Sequence, residues 1–238
     1  MAGHSKWANI KFRKSVQDAK RGKIFTKLIR EITVAARMGG ADESTNSRLR
    51  DVVTKSLKAN MKRDTIDNAI KRGAGGLEGA NMAEMRYEGY GPQGVAILVD
   101  CLSDNKNRTV SEVRHCFTKY GGNLGTDGSV SYLFNKQGEI IVAITGDKDA
   151  LMEQLIELGV EDIIEEDEHF ICITAPEDYH VILAGLSEKQ ITVEQSQIAM
   201  SAGNLIAVEG DAAVSLMKMI DALEDLDDVQ EVYYNAEI

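Results

Sequence analysis

The stretch from 139 to 200 constrains the fold more than any other part of this chain, because its apolar period changes in a fixed order. "EIIVAIT" (139–145) is an apolar run of strand length. Residues 148–158 then place Leu151, Leu155 and Leu158 at helical spacing. "EDII" and "HFICIT" flank the acidic turn "EEDE" and read as a hairpin. Residues 177–188 set Tyr179, Ile182, Leu183 and Leu186 in helical register, and "TVEQSQIAM" returns to a strand. Strand, helix, strand, strand, helix, strand is the ferredoxin-like order.

The flanking segments give the same order again, cut at its central hairpin. "GVAILVDCL" (94–102) is a buried strand. "TVSEVRHCFTKYG" is a helix in which Thr109 and Glu112 make a T-x-x-E capping box. "SVSYLF" (129–134) is a strand with Val130, Tyr132 and Phe134 on one face. After the central stretch come the short apolar "NLIAV" (204–208), a helix over 211–224 and the strand "DVQEVYY" (228–234).

Three helices precede all of this. Phe25, Leu28, Ile29, Ile32 and Ala36 form one stripe on a helix that starts near Ser15, is interrupted at Gly22 and ends at Gly39-Gly40. A second helix over 46–59 turns Leu49, Val53 and Leu57 inward. A third has Asp64 as N-cap, Ile66, Ala69 and Ile70 inside, and Gly73 at its close. "GAGGLEG" (73–79) is a glycine hinge; a phosphate-binding loop would need a preceding strand and a terminal G-K-[ST], which it lacks. The expected class is therefore α+β: an N-terminal three-helix lobe followed by two ferredoxin-like α/β lobes, one inserted in the other. The expected domains are 1–80, basic and helical with an N-terminal arm, 81–135 plus 202–238 as host, and 136–201 as insert.

Charge divides the chain along the same lines. Residues 1–80 hold 18 basic and 8 acidic side chains, whereas 81–238 hold 9 and 30. The formal net charge of -11 thus conceals a basic lobe and a strongly acidic remainder. Exposed charges more than about 8 Å apart are largely screened at physiological salt, so the basic lobe can present its own field to a polyanion. Two readings of that field stand: contact with nucleic acid, or a plain solvated or docking face for the acidic part. Under the first, the contacts are Lys6, Lys11, Arg13 and Lys14 in the arm, and Lys20, Arg21, Lys23, Lys27, Lys55, Lys58, Lys62, Arg63, Lys71 and Arg72 on the helices. Such side chains neutralise phosphates and carry little sequence information. Trp7 either stacks on an unpaired base or anchors the arm on the bundle.

Catalytic and metal chemistry find no footing in the pattern. His4, His115, His169 and His180 belong to no G-x-S-x-G or H-E-x-x-H motif. The acidic runs 161–168 and 224–231 lack the order of a calcium loop and read as solvated turns and edges. Cys101, Cys116 and Cys172 are odd in number, widely spaced and set among apolar residues, so they read as reduced, buried thiols. No cofactor and no small-molecule substrate is implied. No apolar run reaches the roughly 18 residues of a membrane span, and no signal peptide is visible, which places the expected protein in the cytoplasm. The glycine-rich turns "YEGYGPQG" (87–94) and "GGNLGTDGS" (121–129) either stop and turn the chain or offer backbone N–H groups to an RNA backbone.

"MAGHSKWANIKFRK", "QDAKRGKIFTKLIREITVAAR", "NMKRDTIDNAIKRG", "RYEGYGPQGVAILVDCLSDNKNRTVSEVRH", "GGNLGTDGSVSYLF" and "ALEDLDDVQEVYYN" closely resemble the YebC family, also called PmpR-type regulators. The resemblance covers essentially the whole chain. It implies a three-lobed cytoplasmic protein and a probable transcriptional regulator binding promoter DNA. It also admits a translation factor that binds ribosomal RNA and relieves ribosome stalling, since the resemblance takes in a mitochondrial translational activator and bacterial relatives linked to relief of stalled ribosomes. A protein-interaction scaffold is the third alternative. Phe12 stands where the family usually has histidine, so no role of that imidazole carries over.

Overall fold

The computed structural model describes residues 21–75 and 82–238. These fall into two compact units. One gathers the described chain up to Ser131 together with Val208–Tyr234; the other comprises Tyr132–Ala207 and Asn235–Ile238.

The first unit begins with three helices: α1 (Arg21–Gly39), α2 (Ser47–Lys58) and α3 (Arg63–Ala74). Their shared core is the expected one along α1 and α3, with Leu28, Ile32 and Ala36 against Ile66, Ala69 and Ile70. Along α2 the buried stripe is rotated from the expected one. Leu49, Val52, Val53 and Ser56 face inward and Leu57 is exposed. Ser56 is tolerated inside because its hydroxyl donates to the Val52 carbonyl at 2.7 Å, so the hydroxyl has a partner without leaving the helix. Asn46 joins α1 to α2. Its Oδ1 accepts from the Leu49 N–H, while its Nδ2 donates to the Ala35 and Gly40 carbonyls at 2.9 and 2.8 Å.

The described part of α1 begins at Arg21, so the expected start near Ser15 lies outside the described residues, and α3 starts from Lys62 rather than Asp64. Gly73 has a different task from the one its place in the glycine run suggests. It is buried inside α3 where that helix crosses α1, and a Cβ there would collide with the Thr33 carbonyl and lie 3.0 Å from the Ala36 methyl. The glycine permits the close approach of two helices.

The same unit carries an antiparallel sheet, with strands β1 (Ala83–Tyr90), β2 (Ala96–Ser103), β3 (Asn123–Leu124) and β9 (Val229–Tyr234) in the order β3-β1-β2-β9. Helix α4 (Lys106–Lys119) follows β2, and α7 (Gly210–Glu224) precedes β9. Ile97, Leu98, Val99, Phe117, Leu216 and Val229 are almost completely buried. Strand β1 has no counterpart among the expected strands. Helix α4 starts earlier than expected: Asn105 is its cap, accepting from the Arg108 N–H at 3.0 Å. Thr109 lies inside that helix, buried, and makes no capping box. Gly89 lets α4 and β3 approach β1, since a Cβ there would lie 2.6 Å from both Phe117 and the Asn123 carbonyl.

The second unit contains β4 (Phe134–Ala143), α5 (Lys148–Glu157), β5 (Asp162–Glu166), β6 (His169–Thr174), α6 (Tyr179–Glu188) and β7 (Val193–Ala202). Its sheet has the order β5-β6-β4-β7, antiparallel throughout. This is the split β-α-β arrangement that the apolar periods of 139–200 imply. Ile140, Val142, Phe170 and Cys172 pack beneath Leu151, Leu155, Tyr179, Ile182 and Leu186. One turn of 3-10 helix at Ser131–Leu133 replaces the first expected strand residues, leaving Tyr132 73% exposed. A short parallel pair joins β8 (Ile206–Ala207) to β10 (Ala236–Glu237). The chain is thus α+β, with a three-helix lobe followed by two α/β lobes.

Candidate nucleic-acid interface

The cations expected to contact phosphate separate into two sets in the first unit. Lys6, Trp7, Lys11, Arg13, Lys14 and Lys20 lie outside the described residues, as does the side chain of Arg21. Among the others, Lys23, Lys27 and Lys55 point toward the acidic end of α7 and toward β9. Lys58, Lys62, Lys71 and Arg72 are exposed at the ends of α2 and α3.

The first set follows from helical spacing. Positions 23, 27 and 30 lie on one face of α1. Lys23 donates to the Asp225 carbonyl at 3.1 Å, Lys27 to the Glu224 carbonyl at 2.6 Å, and Arg30 to the Asp227 carbonyl at 2.8 Å. These are the carbonyls at and just beyond the C-terminus of α7, where the helix dipole favours cations. Lys23 also pairs with the Asp225 carboxylate at 3.6 Å. From α2, Lys55 pairs with Glu231 of β9, and Arg48 pairs with Glu84 of β1. Burial pushes the Lys27 ammonium below its ordinary pKa, against the pull of Glu231, Glu224 and Asp225. Burial likewise pushes the Glu31 carboxyl up. The Lys55 ammonium goes the other way, raised chiefly by Glu231. Arg30 and Arg48 belong to this set although the charge pattern alone did not single them out. The signal was present in the spacing 23, 27, 30, but only against a partner helix end whose position the sequence does not state.

Asp228 anchors the contact from below. Its buried carboxylate accepts from Arg108 Nη2 at 2.8 Å, from the Ser103 and Thr109 hydroxyls at 2.9 Å each, and from Arg30 Nη1 at 3.3 Å. Burial raises its pKa, but these hydrogen bonds outweigh burial and hold the carboxyl below the ordinary aspartate value. One member of a run expected to be solvated edge is therefore a buried junction of β2, α4, β9 and α1.

The second set is exposed at the C-terminal end of α2 and at the two ends of α3. In α3 the buried positions are Ile66, Ala69, Ile70 and Gly73, so Lys71 and Arg72 emerge on the other side. Lys58 and Lys62 bracket the turn from α2 to α3. Arg63 is exposed too, but its fork is held by Glu43 at 2.5 Å and Asp67 at 2.9 Å.

The glycine-rich turns are organised internally. Glu88 of β1 accepts from the backbone N–H groups of Gly128, Val130 and Ser131, each at 2.8 Å. The Gly125 N–H donates to the Glu88 carbonyl, and the Tyr90 hydroxyl donates to the Ser129 carbonyl. Burial raises the Glu88 pKa, yet the three backbone donors more than offset it and the carboxyl is held low. The amides that an RNA phosphate would use already cradle a carboxylate of the same sheet.

All three cysteines are buried, and burial pushes the Cys101 and Cys172 thiols up to about 12. Among the described residues no group of three or more His, Cys, Asp or Glu is placed to hold a metal ion. No described helix is long and apolar enough to cross a membrane.

Comparison with known proteins places this arrangement. Residues 5–76 match the TACO1/YebC protein N-terminal domain, and residues 82–236 match the TACO1/YebC second and third domain. A probable transcriptional regulatory protein of Legionella pneumophila (strain Lens) is 68% identical over 237 residues, covering 100% of this chain and 96% of the relative. One of the same description from Idiomarina loihiensis is 56% identical over 239 residues, with the same coverage. The crystal structure of a conserved hypothetical protein from Aquifex aeolicus superposes with a TM-score of 0.80 at 46% identity, covering 93% of this chain and 92% of that one. The matched domains account for both described parts of the chain, and the relatives match from end to end: this chain belongs to the TACO1/YebC family.

Proposed function

We propose that this chain is a non-catalytic regulator that grips nucleic acid through the exposed ends of α2 and α3, together with its N-terminal arm. The observation that carries the reading is the placement of Lys58, Lys62, Lys71 and Arg72, exposed on the side of the helical bundle away from its core. They stand in a segment with ten more basic than acidic residues. Phosphates neutralised there release counterions, which gives affinity without a cofactor. Relatives described as probable transcriptional regulatory proteins support promoter DNA as the target, and cytoplasmic location goes with that role.

Arg63 favours a second reading. Its fork is committed to Glu43 and Asp67, so the residue type best suited to reading guanine is unavailable at the start of α3. A surface that reads backbone and shape also suits ribosomal RNA. Affinity for the protein's own promoter, for random duplex and for purified ribosomes separates the two. Promoter binding at least tenfold tighter than random duplex supports transcription. Equal binding to both duplexes with tight ribosome binding overturns it in favour of translation.

A further inference from the structure

Among the described residues, charged side chains supply the ion pairs and side-chain hydrogen bonds between the helical bundle and the first sheet. The apolar cluster of the bundle contains residues of α1, α2, α3 and the turn between the last two, and none of the sheet. What joins the two parts is Lys23 on Asp225, Lys27 on the Glu224 carbonyl, Arg30 on Asp227 and Asp228, Arg48 on Glu84 and Lys55 on Glu231. The seam is imperfectly filled. A small cavity opens in it, lined by Ile24, Lys27, Leu28, Glu31, Lys55 and Glu231 among others, and Gln230 Nε2 is buried there without a hydrogen-bond partner among the described residues. An optimised permanent interface would be expected to satisfy its buried polar atoms.

From this we infer that the acidic residues 224–231, with Glu84, act as an internal stand-in for a phosphate backbone, masking five cations of α1 and α2 that a nucleic-acid strand can claim when the bundle swings away from the sheet. The inference rests on the nucleic-acid reading above and adds an autoinhibited form to it. The geometry matches the chemistry. Carboxylates and helix-end carbonyls satisfy Lys and Arg in the same way that phosphate oxygens do, through charge-assisted N–H···O bonds. Most of these pairs are partly exposed, so salt and a competing polyanion weaken them, whereas they would leave a hydrophobic interface intact. Lys27, Arg30 and Arg48 are partly buried, and for Lys27 burial penalises the charged form, a penalty that release would relieve.

The test uses the full chain and two triple variants of equal charge. The latch variant carries Glu84→Gln, Asp225→Asn and Glu231→Gln. The control carries Glu112→Gln, Asp127→Asn and Glu209→Gln, which neutralise exposed acids outside the seam. Asp228 is left intact, so the buried junction survives in both. Small-angle scattering at low salt reports opening, and titration with a random-sequence 30-base-pair duplex reports affinity. The latch variant is expected to show a larger radius of gyration than the control and to bind the duplex at least several-fold more tightly than the control does. A latch variant as compact as the control, or one that binds the duplex no better than the control, overturns the inference. Failure of the wild type and both variants to bind either duplex or ribosomes would instead overturn the functional reading. In that case scattering still decides whether the acids hold the bundle closed.

Discussion

Asp228 gathers four donors from three separate segments of the chain, and its removal tests how far the first unit depends on one carboxylate. Asp228→Asn keeps the shape but loses the charge that Arg108 and Arg30 answer. Breaking a buried, hydrogen-bonded charge pair costs about 2–4 kcal/mol, with the lower end expected because Arg108 is partly exposed. A drop in the urea midpoint at pH 7 with an unchanged slope is the expected result. The pH dependence has a definite sign. The folded pKa lies below the unfolded value, so the stabilisation is present above about pH 4 and is lost as pH falls through the folded value. The variant should therefore show a shallower loss of stability on acidification than the wild type. Little of this was legible in "EDLDDVQE". Four of its residues are acidic aspartates or glutamates within five positions, and nothing local marks which one a distant Arg108 will bury.

At the scale of elements, periodicity was a sound guide wherever a helix or strand packs one continuous stripe. It held for α1, α3 and the whole order from β4 to β7. It failed where the partner, not the pattern, decides. Along α2 the expected Leu57 is exposed and Ser56 is inside, because the internal hydroxyl bond makes a serine acceptable on the buried face. Strand β1 was hidden by the glycines of "YEGYGPQG" (87–94), which the sequence reading takes for a turn. Pairing with β2 along its whole length and the close fit of α4 over Gly89 make a strand of it. Gly73 carries a prediction at this scale. Gly73→Ala forces a methyl into the crossing of α1 and α3, and overpacking of this kind costs about 1–3 kcal/mol. Hydrogen exchange should show faster opening of α1 and α3 with the second unit unaffected. Unchanged protection in those helices would mean that the crossing can spread to admit a methyl.

Over the whole molecule, the charge division was plain in the sequence, and the fold shows what it could not say. Roughly half of the described candidate cations meet acids or helix-end carbonyls of the same chain in the contacts above, and the others are exposed at the end of α2 and at both ends of α3. Composition counts both kinds alike, because masking depends on a contact between residues some 200 positions apart. The account therefore rests on the outward set, Lys58, Lys62, Lys71 and Arg72. The most direct measurement is the salt dependence of duplex binding by the wild type and by a variant with all four changed to Ala. If each neutralises one phosphate, the slope of log K against log salt should flatten by about 3–4 in the variant, while the fold, monitored by circular dichroism, is retained. A slope unchanged from the wild type would contradict the claim that these four side chains meet phosphate.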